Sequence, residues 1–110
     1  MSSRDERVAA NEATFRAANE RIRDKAIELD QAGDFVPFIC ECADTGCTDL
    51  IQMTLSEYEH VRADSHTFTI ARGHEAGASE RVVGGEGDRF AVVEKKPPGQ
   101  EITERTDPRR

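Results

Sequence analysis

The three cysteines of this chain fall in one short stretch, Cys40-x-Cys42-x4-Cys47. An odd number of thiols so closely spaced is the wrong pattern for the disulfide framework of a small secreted protein, and clustered thiols otherwise mark metal or redox chemistry. Residues two apart in a strand share a face, so Cys40 and Cys42 converge on one point if the strand end bends. The turn through Ala43-Asp44-Thr45-Gly46 then swings Cys47 back toward them. Structural zinc sites take about four thiolate or imidazole ligands at ~2.0 to 2.3 Å, and this hairpin offers three.

The fourth ligand must come from elsewhere in the chain. His74 is favoured, because it follows Gly73, where the backbone can turn freely. The alternatives are His66, in the loop after a short helix, His60 on that helix, a carboxylate among Asp44, Asp49 and Glu41, or water. Two readings compete with metal binding: a metal-free redox switch, and inert thiols in a core. Cys40 and Cys42 flank the charged Glu41 and face a polar turn, a poor address for simple core residues.

The rest of the composition makes a metal useful. With 36% hydrophobic and 34% charged residues, five Phe, one Tyr and no Trp, the chain has little apolar material for a self-supporting core. Domains of this size commonly add a metal to reach stability. A length of 110 residues implies one domain, and a net charge of −7 disfavours nucleic acid and anionic membrane surfaces as partners. No apolar run of signal-peptide or membrane-spanning type occurs, so a cytoplasmic protein is expected.

The expected fold class is α+β: a long N-terminal helix, then a small, mainly antiparallel sheet with one short helix and a zinc-stapled hairpin. Residues 1–33 form the helical part, 34–95 the zinc-binding α+β part, and 96–110 a disordered tail. The helix runs from about Arg4 to Ala32, with Val8, Phe15, Ile22 and Leu29 as a seven-residue stripe that Ala18 and Ala26 fill in. Ser3 with Glu6 suits a capping box, and Gly33 a left-handed C-cap. Such a rod outreaches the remaining domain, so part of it is expected to meet a second copy or another protein, or else to pack on its own sheet.

Phe35 to Cys42 and Cys47 to Met53 read as two strands. Thr54-x-x-Glu57 is a capping box with Met53 and Tyr58 as its hydrophobic staple, opening a helix whose inner face carries Leu55, Tyr58 and Val61. Thr67–Ala71 alternates as a half-buried strand does. Glu80–Val83 and Phe90–Glu94 make a hairpin around the glycine-rich residues 84–88.

Phe38-x-Cys40-Glu41-Cys42-x4-Cys47, Thr54-x-x-Glu57-Tyr58-x-x-Val61-Arg62, Gly73-His74-Glu75 and Val92-Val93-Glu94-Lys95 together resemble an uncharacterised family of small bacterial proteins, over roughly Asn11 to Lys96. Members of that family tend to carry proline where this chain has Arg72. The resemblance implies that Cys40, Cys42, Cys47 and His74 belong together, and it implies no reaction.

Signatures of catalysis are missing. Gly84-Gly85-Glu86-Gly87-Asp88 lacks the lysine and hydroxyl residue of a phosphate-binding loop, and no nucleophile elbow, zinc deaminase or zincin pattern is present. An enzyme would need a three-cysteine site with an open position and Glu41 or Glu75 as base, a weaker reading than a structural Cys3His site. The functions to weigh are therefore a protein-interaction or regulatory module, a zinc-linked thiol redox sensor, and, least favoured, a DNA-associated regulator using Arg16, Arg21, Arg23 and Lys25.

Overall fold

A computed structural model describes residues 3–31, 33–42, 44, 46–74, 80–97 and 100–109, without the side chains of 3–6 and 9. The expected Ser3–Glu6 capping box, the helix end at Ala32, the turn residues Ala43 and Thr45, and Glu75 lie outside that description. The chain is α+β. Helix α1 (Ser3–Glu28) leads into strands β1 (Val36–Ile39) and β2 (Leu50–Met53), helix α2 (Leu55–Arg62) and strand β3 (Thr67–Ile70). Strands β4 (Glu80–Glu86) and β5 (Phe90–Lys95) and helix α3 (Gln100–Arg105) follow. β1 and β2 form a two-stranded antiparallel sheet, and β3, β5 and β4 a second, three-stranded one in that order.

The local signals act as the residue types dictate. Thr54 accepts from the Glu57 backbone N–H while the Glu57 carboxylate accepts from the Thr54 N–H, so the capping box is complete at the start of α2. Met53 and Tyr58 on either side of it are buried in one apolar cluster with Val36, Phe38, Ile51 and Val61, where Tyr58 stacks on Phe38 with ring centroids 4.3 Å apart. A second cluster joins Phe68, Ile70, Ala91 and Val93 to Cys40 and Cys42. β4 and β5 shift register between Val82 and Gly84. Gly85 has φ +143°, and a Cβ there would lie 2.5 Å from the Phe90 carbonyl oxygen, so only glycine fits.

α1 ends earlier than expected, and on a different residue. The Gln31 N–H donates to the Ala26 carbonyl and the Asp30 N–H to that of Ile27, with Asp30 itself at φ +57°. That is a Schellman closure with Asp30 in the left-handed position, ahead of Gly33.

The buried face of α1 is also not the heptad stripe. Val8, Phe15 and Ile22 are half-buried and Leu29 is 56% exposed, while Glu12, Arg16, Asn19 and Ala26 are buried. The helix therefore docks largely through polar groups. The Arg16 guanidinium lies over the Phe68 ring and donates to the carbonyls of Ser65 and Thr103. The Asn19 amide behaves like a strand residue, donating to the Ile39 carbonyl at 2.8 Å and accepting from the Ile39 N–H at 2.7 Å.

Composition favours a disordered tail over 96–110, yet among its described residues α3 and those after it are fixed to the body. Thr103 is buried, Arg62 pairs with Asp107, the Glu104 carboxylate lies 2.6 Å from His66 Nε2, and Arg109 bridges Glu20 and Glu59. Ion pairs hold this segment in place of apolar side chains, which is why its composition reads as a tail.

Lys95 is buried between two carboxylates, with its Nζ 2.6 Å from Glu12 and 3.5 Å from Glu80. Two buried acids facing one ammonium leave a net negative charge, so the triad holds a proton. Burial raises Glu12 to about 9, and its hydrogen bond with Glu80 pushes the same way. A raised carboxyl keeps its proton in the folded state after the unfolded chain has lost it, so stability is full below the ordinary value of 4.5 and drains away as pH rises toward about 9. Glutamine reproduces the protonated acid, accepting from Lys95 and donating to Glu80. Glu12→Gln should flatten most of this decline, measured as the urea midpoint across that pH range. Identical pH profiles for the two chains would contradict the assignment.

Candidate metal centre

The hairpin continues past β1 and β2 as an irregular arm. The Cys40 N–H donates to the Asp49 carbonyl at 3.1 Å, holding the arm closed below its tip. At the tip, the Asp44 carboxylate accepts from the Gly46 N–H and its carbonyl from the Cys47 N–H, a turn that sends Cys47 back toward Cys40 and Cys42. The arm lies along β3, because the Glu41 N–H donates to the Thr69 carbonyl at 2.8 Å.

Glu41 fixes the arm at its base. Its side chain is fully buried, accepting from the Thr69 N–H through Oε1 and from Asn19 Nδ2 through Oε2. Burial raises this carboxyl to about 7, with the two hydrogen bonds opposing the rise. Sequence reasoning offers Glu41 as a candidate fourth ligand or as a base; the structure makes it the clamp that ties the cysteine arm to α1 and β3. Its alternation with Cys40 and Cys42 points its side chain away from the sulfurs.

His74 arrives from the other side. β3 ends at Ile70, and the His74 N–H donates to the Ala71 carbonyl across a tight turn with Gly73 at φ +88°. A positive φ at the third turn position calls for glycine, and the reversal carries the imidazole back over the arm. Nδ1 of His74 lies 3.6 Å from Cys40 Sγ and 3.6 Å from Cys47 Sγ. One ligand atom from each of Cys40, Cys42, Cys47 and His74 lies within 4.8 Å of the others.

These distances fit a single ion. Bonds of about 2.3 Å to sulfur and 2.05 Å to nitrogen at the tetrahedral angle place the two donors roughly 3.6 Å apart. Cys40 and Cys42 are buried and Cys47 is half-buried, so the donors sit at the rim of the second apolar cluster. Burial pushes the Cys40 thiol up to about 12 and raises Cys42 as well. A backbone N–H from Ala71 points at Cys40 Sγ from 3.2 Å and favours the thiolate. The outer nitrogen of His74, Nε2, lies 3.3 Å from the Asp49 carboxylate.

The other candidates are placed apart from this cluster. His60 is exposed on α2, beside a cleft of about 580 Å³ between α2 and the β4–β5 hairpin. His66 faces Asp64 and Glu104. Of the proposed basic face, Arg16 is fully buried and so withdrawn from any nucleic-acid surface, while Arg23 is half-buried and paired with Asp24 and Glu59. No described helix is long and apolar enough to cross a membrane. Compared with protein-family models, curated proteins and solved structures, the chain matches none.

Substitution separates the three histidines. His74→Ala should weaken cobalt or zinc binding by orders of magnitude and alter the cobalt ligand-field spectrum, whereas His60→Ala and His66→Ala should leave both unchanged. Equal affinity for His74→Ala and the parent chain would remove His74 from the site.

Proposed function

We propose that this chain is a small zinc-binding protein whose Cys3His site is structural, and that the folded α+β unit serves as a protein-interaction or regulatory module. One observation carries the zinc reading: three sulfurs and one imidazole nitrogen from two separate segments meet within 4.8 Å. Soft thiolates with one imidazole at tetrahedral spacing suit zinc better than calcium or magnesium, which take oxygen donors. Four protein donors complete the coordination and leave no open position for a reacting water, the arrangement of structural sites.

The module half of the proposal draws support from apolar side chains left in solvent near the end of α1 and just beyond it. Ile27 is 51%, Leu29 56% and Phe35 57% exposed, which suits contact with a protein partner or a second copy. Light scattering tests the second copy: a monomeric mass at every concentration, unchanged by Leu29→Glu, would dismiss it.

A thiol redox sensor is the second reading, favoured by the half-buried Cys47 on the open side of the site. There, two thiolates would join as a disulfide, a peroxide would take up the two electrons and be reduced, and the ion would lose two donors. Zinc retention under excess peroxide would leave the structural role alone.

Purified protein should carry about one zinc per chain, and stripping it with a strong chelator should lower stability markedly, structural zinc binding being worth about 10–16 kcal/mol in zinc-finger peptides at pH 7. Elemental analysis with melting curves before and after chelation checks this. Full stability without metal would overturn the structural role.

A further inference from the structure

We propose that Asp49 is the positioning residue of the metal site: its carboxylate holds the outer nitrogen of His74 so that Nδ1, and not Nε2, faces the sulfurs. The inference rests on the Cys3His reading above and adds the ring nitrogen used, the tautomer, and the group that fixes both. Four observations converge on it.

Of the two ring nitrogens, Nδ1 is 3.6 Å from both Cys40 Sγ and Cys47 Sγ, and Nε2 is 3.3 Å from Asp49 Oδ2. A neutral imidazole carries one proton, and a carboxylate only accepts, so the proton belongs on Nε2 and the lone pair on Nδ1 is left for a cation. Asp49 is itself fixed to the sulfur arm, since its carbonyl accepts from the Cys40 N–H. The Asp49–His74 contact therefore ties the loop after β3 to the hairpin that carries the three thiols.

The fourth observation concerns access. Cys40 and Cys42 are buried, whereas the His74 side chain is 32% and that of Asp49 57% exposed. An imidazole so open to solvent can rotate away unless its far edge is held, so the contact guards the side from which an ion is gained or lost. Sequence spacing carried a trace of this. Cys47 and Asp49 are two apart at the entry to β2, the spacing that puts both side chains on one face of an extended chain.

The test uses the full-length, zinc-loaded chain and its Asp49→Ala, Asp49→Asn and Asp49→Glu variants, competed against a chromophoric chelator. Loss of an outer-shell carboxylate typically weakens metal binding by 10–100-fold, so Asp49→Ala should fall in about that range and Asp49→Glu should recover most of the loss. Asp49→Asn keeps the size and the oxygen acceptor without the charge, and serves if the alanine variant folds poorly. Nitrogen-15 spectra of the histidine side chains give a readout that general destabilisation would not move. The parent chain should show His74 metal-bound at Nδ1 with a protonated Nε2 in slow exchange, and Asp49→Ala should lose that slow proton.

Two negative results are distinguishable. A parent chain that takes up no zinc overturns the Cys3His reading together with this inference. A parent chain that binds zinc with an affinity and a His74 signal that Asp49→Ala and Asp49→Asn leave unchanged overturns the role of Asp49 alone.

Discussion

Three sulfurs and one imidazole nitrogen on two separate segments lie within 4.8 Å of one another, and much of the local structure around them fixes that arrangement. The sulfurs come from one irregular arm and the imidazole from the loop after β3. Neither piece has the apolar mass to hold its place unaided. The arm is set by the buried Glu41 carboxylate, which binds Thr69 on one side and Asn19 on the other, and the loop by the tight turn at Gly73. Burying a carboxyl between Cys40 and Cys42 costs desolvation, which the hydrogen bonds from Thr69 and Asn19 partly offset.

The same economy recurs along α1. A helix with few large apolar residues turns Glu12, Arg16 and Asn19 inward and meets the body through charge-assisted hydrogen bonds and a cation–π contact. Ordered ion pairs of this kind contribute less net stability than apolar packing of equal volume, because each ion must first leave water. A chain built this way has reason to tie its segments together at a coordination centre as well, where donor identity and distance are both constrained.

Much of this was legible in the sequence, and for identifiable reasons. The Cys40-x-Cys42-x4-Cys47 spacing, the Thr54–Glu57 capping box and the glycine before His74 each encode a local geometry that few other patterns produce, and each recurs in the structure. What escaped was non-local and polar. A seven-residue apolar stripe suggested the docking face of α1, but the face chosen follows the partners available, namely the Ile39 backbone, Lys95 and the Thr103 carbonyl. The segment after Lys95 was misread for the same reason: hydropathy registers few apolar residues there and cannot register that Asp107 and Arg109 have opposite charges waiting on α1 and α2.

The central claim concerns coordination, and X-ray absorption at the zinc edge of the purified chain tests it most directly. The account predicts a first shell of three sulfurs near 2.3 Å and one nitrogen near 2.0 Å, with outer-shell scattering from an imidazole ring. A shell of oxygens, or no bound metal in a fully folded chain, would contradict it.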